Sequence, residues 1–132
     1  MKTSKLFLSA AALLILPFTV SALEPWVAPA SAKNRANPYG NNAGAIAAGK
    51  KLYLTNCLIC HGPTGKGDGP GAAALNPKPA NYSDPKVAHE TDGELFWKIS
   101  EGRGLMVSWK ATLSEVQRWQ LVNYIRSIAP RK

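Results

Sequence analysis

The chain has 132 residues, of which 45% are hydrophobic and 18% are charged, and its formal net charge is +8. This length is enough for one small domain with a modest apolar core. A covalent cross-link or a covalently bound cofactor would help to stabilise such a domain. The basic balance favours an acidic protein face or a membrane surface as partner, whereas nucleic acid is excluded as a partner because the chain has no recognition motif for it.

The N-terminus has the pattern of a secretion signal. Lys2 and Lys5 precede an apolar run of 15 residues, 6–20, which is short for a helix that crosses a bilayer. The small residues at 20–22 predict a cleavage site, so residues 1–22 are predicted to be a signal peptide. Cleavage leaves 110 residues with a formal charge of +6, exported to the periplasm and without a transmembrane segment. An uncleaved membrane anchor is the alternative.

The next segment, residues 23–42, is predicted to be an extended or disordered leader. It contains three prolines and a stretch rich in Asn, Gly and Ala, with Trp26 and Tyr39 as candidates for packing on the domain. Residues 43–57 are predicted to form the first helix of a domain that spans residues 43–132, because apolar and small residues recur there at steps of three and four. These residues are Ile46, Gly49, Leu52 and Tyr53.

The first helix leads into the run Cys57-Leu58-Ile59-Cys60-His61, which is the attachment pattern for a c-type haem. Two thiols three positions apart can reach both vinyl groups of one porphyrin, and the following imidazole can bind iron from one side. We therefore predict one covalent haem c per chain, with Cys57 and Cys60 as thioether sites and His61 as the proximal iron ligand. A disulfide, a thioredoxin-like pair and a zinc site that includes His89 fit this spacing less well.

The rest of the chain is predicted to contain two helices and no strand. Residues 62–71 hold five glycines and two prolines and predict a loop. The stretches Thr91-Asp92-Gly93-Glu94 and Ser114-Glu115-Val116-Gln117 have the form of capping boxes that begin helices. The first of these helices is expected to end near Gly102, and the second to stop before Pro130.

Met106 and His89 are the candidates for the second axial position of the iron. Met106 lies 45 residues after His61, in a glycine-containing loop, and a thioether ligand favours ferrous iron and raises the reduction potential. His89 lies in a polar stretch just before a helix N-cap, where a solvent-exposed side chain is expected. We predict Met106 as the distal ligand. Its alternatives are packing of Met106 in the core, ligation by His89 and an open sixth site.

These residues resemble the class I c-type cytochromes, which are small monohaem electron carriers. The chain is most similar to bacterial periplasmic cytochromes of the kind found as cytochrome c domains in cbb3-type oxidases, over about residues 43–129. The resemblance implies an all-α class I cytochrome c fold, with three to five helices around one covalent haem and a close crossing of the first and last helices. It rests on Gly49, Tyr53, Leu121, Tyr124 and the stretches 60–70, 75–82 and 104–109.

The resemblance also implies roles for two loops. In such proteins the segment that corresponds to residues 75–82 supplies a backbone carbonyl to the imidazole N–H of the proximal histidine, and Pro77 or Pro79 is the expected source. Many relatives carry proline directly after the ligand methionine, whereas this chain has Val107 and therefore a less rigid loop.

The expected function is that of a periplasmic carrier of single electrons, not of an enzyme. The protein is expected to be a monomer that meets redox proteins with an acidic docking face through a rim of basic residues. A haem c subunit of a larger periplasmic dehydrogenase or reductase is the alternative. Candidates for the basic rim are Lys66, Lys78, Arg103 and Lys110, and candidates for holding the haem carboxylates are Trp97, Arg103 and Trp109.

Overall fold

The computed structural model describes residues 25–40 and 42–130, so the predicted signal peptide lies outside the described residues. These residues contain no strand, and one isolated bridge joins Arg103 to Met106. The predicted all-α class is therefore confirmed. The helices are α1 (Ala30–Lys33), α2 (Ala43–Asn56), α3 (Leu58–His61), α4 (Pro85–Ala88), α5 (Asp92–Glu101) and α6 (Glu115–Ile128), with a 3₁₀ turn at Ala72–Ala74.

Side-chain caps determine where the long helices begin. The Asn42 side chain accepts a hydrogen bond from the Ala45 N–H at the start of α2. Both predicted capping boxes are confirmed, at the N-termini of α5 and α6. Helix α5 is followed by its C-cap Gly102, whose φ of 66° lies in the left-handed region, and a Cβ there would lie 2.5 Å from the Met106 carbonyl oxygen. Local sequence signals therefore define the long helices.

Helices α2 and α6 cross in close contact, and Gly49 lies at the crossing point. A Cβ at residue 49 would lie 1.9 Å from the Gln120 carbonyl oxygen and 3.0 Å from the Cβ of Tyr124. The absence of a side chain at Gly49 therefore brings the two backbones together. Around this crossing lie the largest fully buried side chains, which are Tyr53, Trp119, Leu121 and Val122.

Residues 25–40, which we call the N-terminal strap, pack on helices α5 and α6. The Asn37 side chain donates to both Asp92 and Asn123 at 3.0 Å, and the Asn123 amide donates to the Tyr39 carbonyl at 2.9 Å. A Cβ at Gly93 would lie 2.0 Å from the Ala32 carbonyl oxygen, so the strap touches α5 directly. The predicted packing of Trp26 and Tyr39 on the domain is seen, whereas the helical turn at Ala30–Lys33 was not predicted.

None of the helices in the described residues is long and apolar enough to cross a membrane.

Candidate functional site

The two cysteines lie on one helical turn at the end of α2. Cys57 caps both α2 and α3, and its carbonyl accepts a hydrogen bond from the Cys60 N–H at 3.2 Å. Both thiols are free and half-buried, whereas Ile59 between them is exposed. Burial raises the pKa of the Cys57 thiol to about 12, and the nearby Cys60 adds to the rise. The two free thiols thus lie together on one turn.

The loop after the motif folds back and hydrogen-bonds the last carbonyls of α3. The N–H groups of Gly67, Gly69 and Gly71 donate to the carbonyls of His61, Cys60 and Ile59, at 3.0, 3.2 and 2.7 Å. These carbonyls have no partners within a helix of four residues, so the loop satisfies them. A Cβ at Gly69 would lie 2.5 Å from the carbonyl oxygens of Leu58 and Ile59. The glycine-rich sequence is therefore required for this close backbone approach, which holds the motif in place.

The His61 imidazole is buried and lies against Tyr82. The two rings are stacked, with centroids 4.9 Å apart and an angle of 17° between their planes. Burial lowers the pKa of the imidazole, while the Ala80 carbonyl beside the ring favours its protonated form. Nδ1 is buried and has no hydrogen-bond partner, so the contact with Ala80 is electrostatic rather than a well-formed hydrogen bond. Stacking on Tyr82 thus sets the orientation of the His61 ring, and the Ala80 carbonyl polarises it.

Ala80 corrects the prediction that Pro77 or Pro79 supplies the carbonyl to the histidine. The Pro79 carbonyl oxygen packs against Gly67, where a Cβ would lie only 2.2 Å away. The next carbonyl along the chain, that of Ala80, is the one that acts on the His61 ring. The segment is held there by a backbone hydrogen bond of 2.8 Å from the Tyr82 N–H to the Gly65 carbonyl.

Tyr53 connects α2 to the end of the motif. Its side chain is fully buried, and its hydroxyl donates to the Gly62 carbonyl at 2.7 Å. Its ring packs on Tyr124 of α6, with centroids 5.1 Å apart. Burial raises the pKa of the Tyr53 hydroxyl above its usual range, with a smaller contribution from Cys57. A neutral hydroxyl therefore anchors the residue that follows His61.

We expect Tyr53→Phe to lower the free energy of unfolding of the haem-loaded protein by about 1 kcal/mol, because a buried hydrogen bond is lost while the ring remains. Urea unfolding followed by tryptophan fluorescence measures this. Tyr39→Phe is the matched control, since the hydrogen bonds that Tyr39 makes within the described residues involve only its backbone. Equal stability of the two variants would contradict a structural role for the Tyr53 hydroxyl.

The loop that carries Met106 is held on both sides. Arg103 and Met106 exchange two backbone hydrogen bonds, at 2.8 and 3.0 Å, around Gly104, whose φ is 58°. On the other side the Ser108 hydroxyl donates to the Ser100 carbonyl at 2.6 Å. This tight turn determines which side chain faces inward. The hydrogen bonds on both sides hold the loop in place, although Val107 stands where many relatives have proline.

Met106 points inward, and its two neighbours point outward. Leu105 is 66% exposed and Val107 is 57% exposed, whereas Met106 is half-buried and packs against the buried core around the crossing of α2 and α6. Cys57 packs against the same core, so the thioether and the motif share one apolar environment. The structure thus brings Met106 to the core that Cys57 borders.

These side chains fit a covalent haem. Two free thiols lie on one turn, a buried imidazole follows them directly, and a thioether points into the adjoining core. The thiols, the imidazole and the thioether are the donor types that c-type haem uses. Cys57 and Cys60 would hold the porphyrin, and His61 and Met106 would be the iron ligands.

Other predicted residues lie apart from this constellation. His89 is exposed at the C-cap of α4, as its polar surroundings predicted. Trp97 is half-buried and pairs with Trp26 of the strap, with ring centroids 6.4 Å apart. The interpretation of the sequence missed the contact between Tyr82 and His61. The signal available for it was an isolated aromatic residue in a stretch of small residues and prolines.

Comparison with known proteins gives a consistent result. Residues 44–125 match the family described as cytochrome c oxidase, cbb3-type, subunit III. The chain is 31% identical, over 69% of its length, to the cbb3-type cytochrome c oxidase subunit CcoP of Azospirillum sp. (strain B510). It spans about a third of the length of the curated relatives it matches, 31% of CcoP and 28% of the FixP subunit of Bradyrhizobium diazoefficiens.

Solved structures agree on the fold. A chain of the reducing HAO-like protein complex of Kuenenia stuttgartiensis matches with a TM-score of 0.60 and 30% identity, over 66% of this chain and 44% of that chain. Cytochrome cL from Methylophaga aminisulfidivorans matches with a TM-score of 0.52 and 28% identity, over 70% of this chain and 58% of that chain.

Proposed function

Since this chain belongs to the family of cbb3-type cytochrome c oxidase subunit III, we propose that it is a periplasmic monohaem cytochrome that carries single electrons between redox partners. The class I cytochrome c fold, the covalent haem c and electron transfer by that haem follow from the family and the structural relatives. The proposal adds His61 and Met106 as axial ligands and the exported location. The inward orientation of Met106 between two exposed neighbours supports it best.

The chain's own residues would bind and orient the haem. Haem c supplies a one-electron couple, and the protein supplies binding and electrostatics. Tyr82 and Ala80 hold the His61 ring, which restricts its rotation and polarises it as an outer partner of a ligand does. The hydrogen bonds around residues 103–108 hold Met106. With both axial sites filled, the protein offers no iron position to a substrate.

We propose that electrons leave through a surface with exposed apolar groups and cations. Ile59 is exposed within the haem motif, and Leu105 and Val107 are exposed beside Met106. Among the candidate rim residues Lys66 is exposed, whereas the Lys78 ammonium donates to the Ala72 and Ala73 carbonyls and Lys110 pairs with Glu101. Lys66 therefore fits the docking of an acidic partner better than the other two lysines.

The optical spectrum of the exported, haem-loaded protein tests the proposal. We expect a ferric thioether-to-iron charge-transfer band, and no change when carbon monoxide is added to the ferrous protein. A high-spin ferric spectrum that changes with carbon monoxide would contradict Met106 ligation and favour ligand-binding chemistry. N-terminal sequencing of the same sample tests export, because cleavage as predicted makes Leu23 the first residue.

A haem c subunit of a larger redox complex is the second candidate function. The names of its relatives support it, since one is an oxidase subunit and another is a chain of a multi-protein complex. The strap is less suited to be a free docking arm, because Asn37 and Tyr39 bind it to its own domain. Purification of the tagged protein from its native membrane and periplasmic fractions distinguishes the two candidate functions. A partner that co-purifies in stoichiometric amount supports the subunit, and a monomer without a partner supports the free carrier.

A further inference from the structure

A cavity lies apart from the haem-binding residues, between the strap, α5 and the first turn of α6. Its volume is about 320 Å³, and neither the cysteines nor His61 nor Met106 line it. This size falls at the lower end of the range for small-molecule sites. The charged groups that line it are Arg35, Glu101, Lys110, Glu115 and Arg118.

Arg118 is the unusual member of this set. It is only 7% exposed, and its guanidinium bonds to the Ser100 hydroxyl and to the Ser114 carbonyl. It also stacks on the ring of Phe96, with 4.8 Å between the guanidinium carbon and the ring centroid. In the part of the chain that the structure describes, no carboxylate forms an ion pair with Arg118. A buried cation without a counter-charge is rare in proteins.

The two acids of the cavity are already neutralised by other cations. Glu115 pairs with Arg35 at 2.5 Å, and Glu101 pairs with Lys110 at 3.2 Å. Both pairs are largely exposed, whereas the remaining positive charge is buried. The lining therefore carries one net positive charge, and this charge belongs to the buried Arg118.

We propose that this cavity binds a small oxoanion, through its phosphate or carboxylate group, with Arg118 as the central ligand. The planar guanidinium fork suits both groups, and burial strengthens a charge-assisted hydrogen bond to either. Arg35 and Lys110, at the edge of the cavity, add longer-range attraction. The volume leaves room for a ligand of several heavy atoms besides the anionic group.

Calorimetric titration of the haem-loaded protein with inorganic phosphate, at constant ionic strength, tests this. We expect saturable binding at millimolar or lower concentration, and a parallel titration with succinate shows which anionic group the site prefers. Binding of either probe supports the proposal. If neither binds, the proposal is wrong, including the case in which the haem carboxylates already fill the cavity.

Three variants assign the binding to Arg118. Arg118→Gln is expected to weaken binding at least tenfold, and Glu115→Gln is expected to tighten it several-fold because it releases Arg35 from its ion pair. The second variant keeps the proposal testable if loss of the buried Arg118 prevents folding. Lys50→Gln, at an exposed position on α2, is the control for loss of one charge. Wild-type affinity in a folded Arg118→Gln, or unchanged affinity in Glu115→Gln, would overturn the proposal.

Discussion

Replacing Gly49 by alanine is expected to destabilise the haem-loaded protein by about 3 kcal/mol or more. The added Cβ would lie 1.9 Å from the Gln120 carbonyl oxygen and 2.5 Å from its carbonyl carbon, which are backbone atoms that cannot rotate away. Helices α2 and α6 would have to separate, which exposes part of the core around Tyr53 and Leu121. Urea unfolding measures the loss, and failure to recover folded protein is its extreme form.

Gly44→Ala is the matched control because it lies on the same helix. Gly44 is exposed, and a Cβ there would meet only the end of the Asn42 side chain, at 3.2 Å. Alanine has a higher helix propensity than glycine, but its Cβ would press on the Asn42 Oδ1 that caps α2, so this variant is expected to stay within about 1 kcal/mol of the wild type. Similar stabilities for the two variants would show that the close crossing does not need glycine at position 49.

The parts of the fold that the sequence predicts depend on short-range signals. The capping boxes at Thr91 and Ser114 join atoms three residues apart, so the sequence alone specifies both helix starts. The haem motif is equally local, because its two cysteines and its histidine occupy one helical turn. The close helix crossing at Gly49 was predicted only through the family resemblance, since a glycine within a helix does not by itself indicate which element packs against it.

The polar contacts of the strap and the partner of the histidine could not be predicted, because they depend on distant residues. Asparagine is common in loops, so the sequence around Asn37 predicts only a loop. The Asn37 side-chain amide nevertheless donates a hydrogen bond to Asn123, which is 86 residues away. In the same way, the choice of Ala80 over Pro79 depends on Gly67, which occupies the space beside the Pro79 carbonyl. No periodicity or composition within the segment encodes either contact, so the structure was needed to reveal them.

Replacing Met106 by alanine is expected to abolish the ferric thioether-to-iron charge-transfer band and to let carbon monoxide bind the ferrous protein. Met106 is the one methionine among the described residues. Its side chain faces inward, whereas those of its neighbours Leu105 and Val107 are exposed. Loss of the thioether removes the preference for ferrous iron. The reduction potential should therefore fall by on the order of 0.1 V, a fraction of the roughly 0.8 V that axial ligands span.

Val107→Ala and His89→Ala are the controls for this experiment. Val107 adjoins Met106 and faces solvent, so its truncation tests whether a general disturbance of the loop has the same effect. His89 is exposed at the end of α4, and its replacement should leave the spectrum and the potential unchanged. If Met106→Ala keeps the wild-type spectrum while His89→Ala changes it, histidine rather than methionine is the distal ligand.

The size of the carbon monoxide response distinguishes an open site from one that another side chain fills. The Met106 loop stays anchored in the variant, because the bonds at Arg103 and Ser108 involve neither the thioether nor the side chain of residue 106. A small side chain held in place leaves the sixth position free, so binding should be complete at saturating gas. Partial binding, with a low-spin ferric spectrum, would mean that a different residue reaches the iron and that the loop is less firmly held than its hydrogen bonds imply.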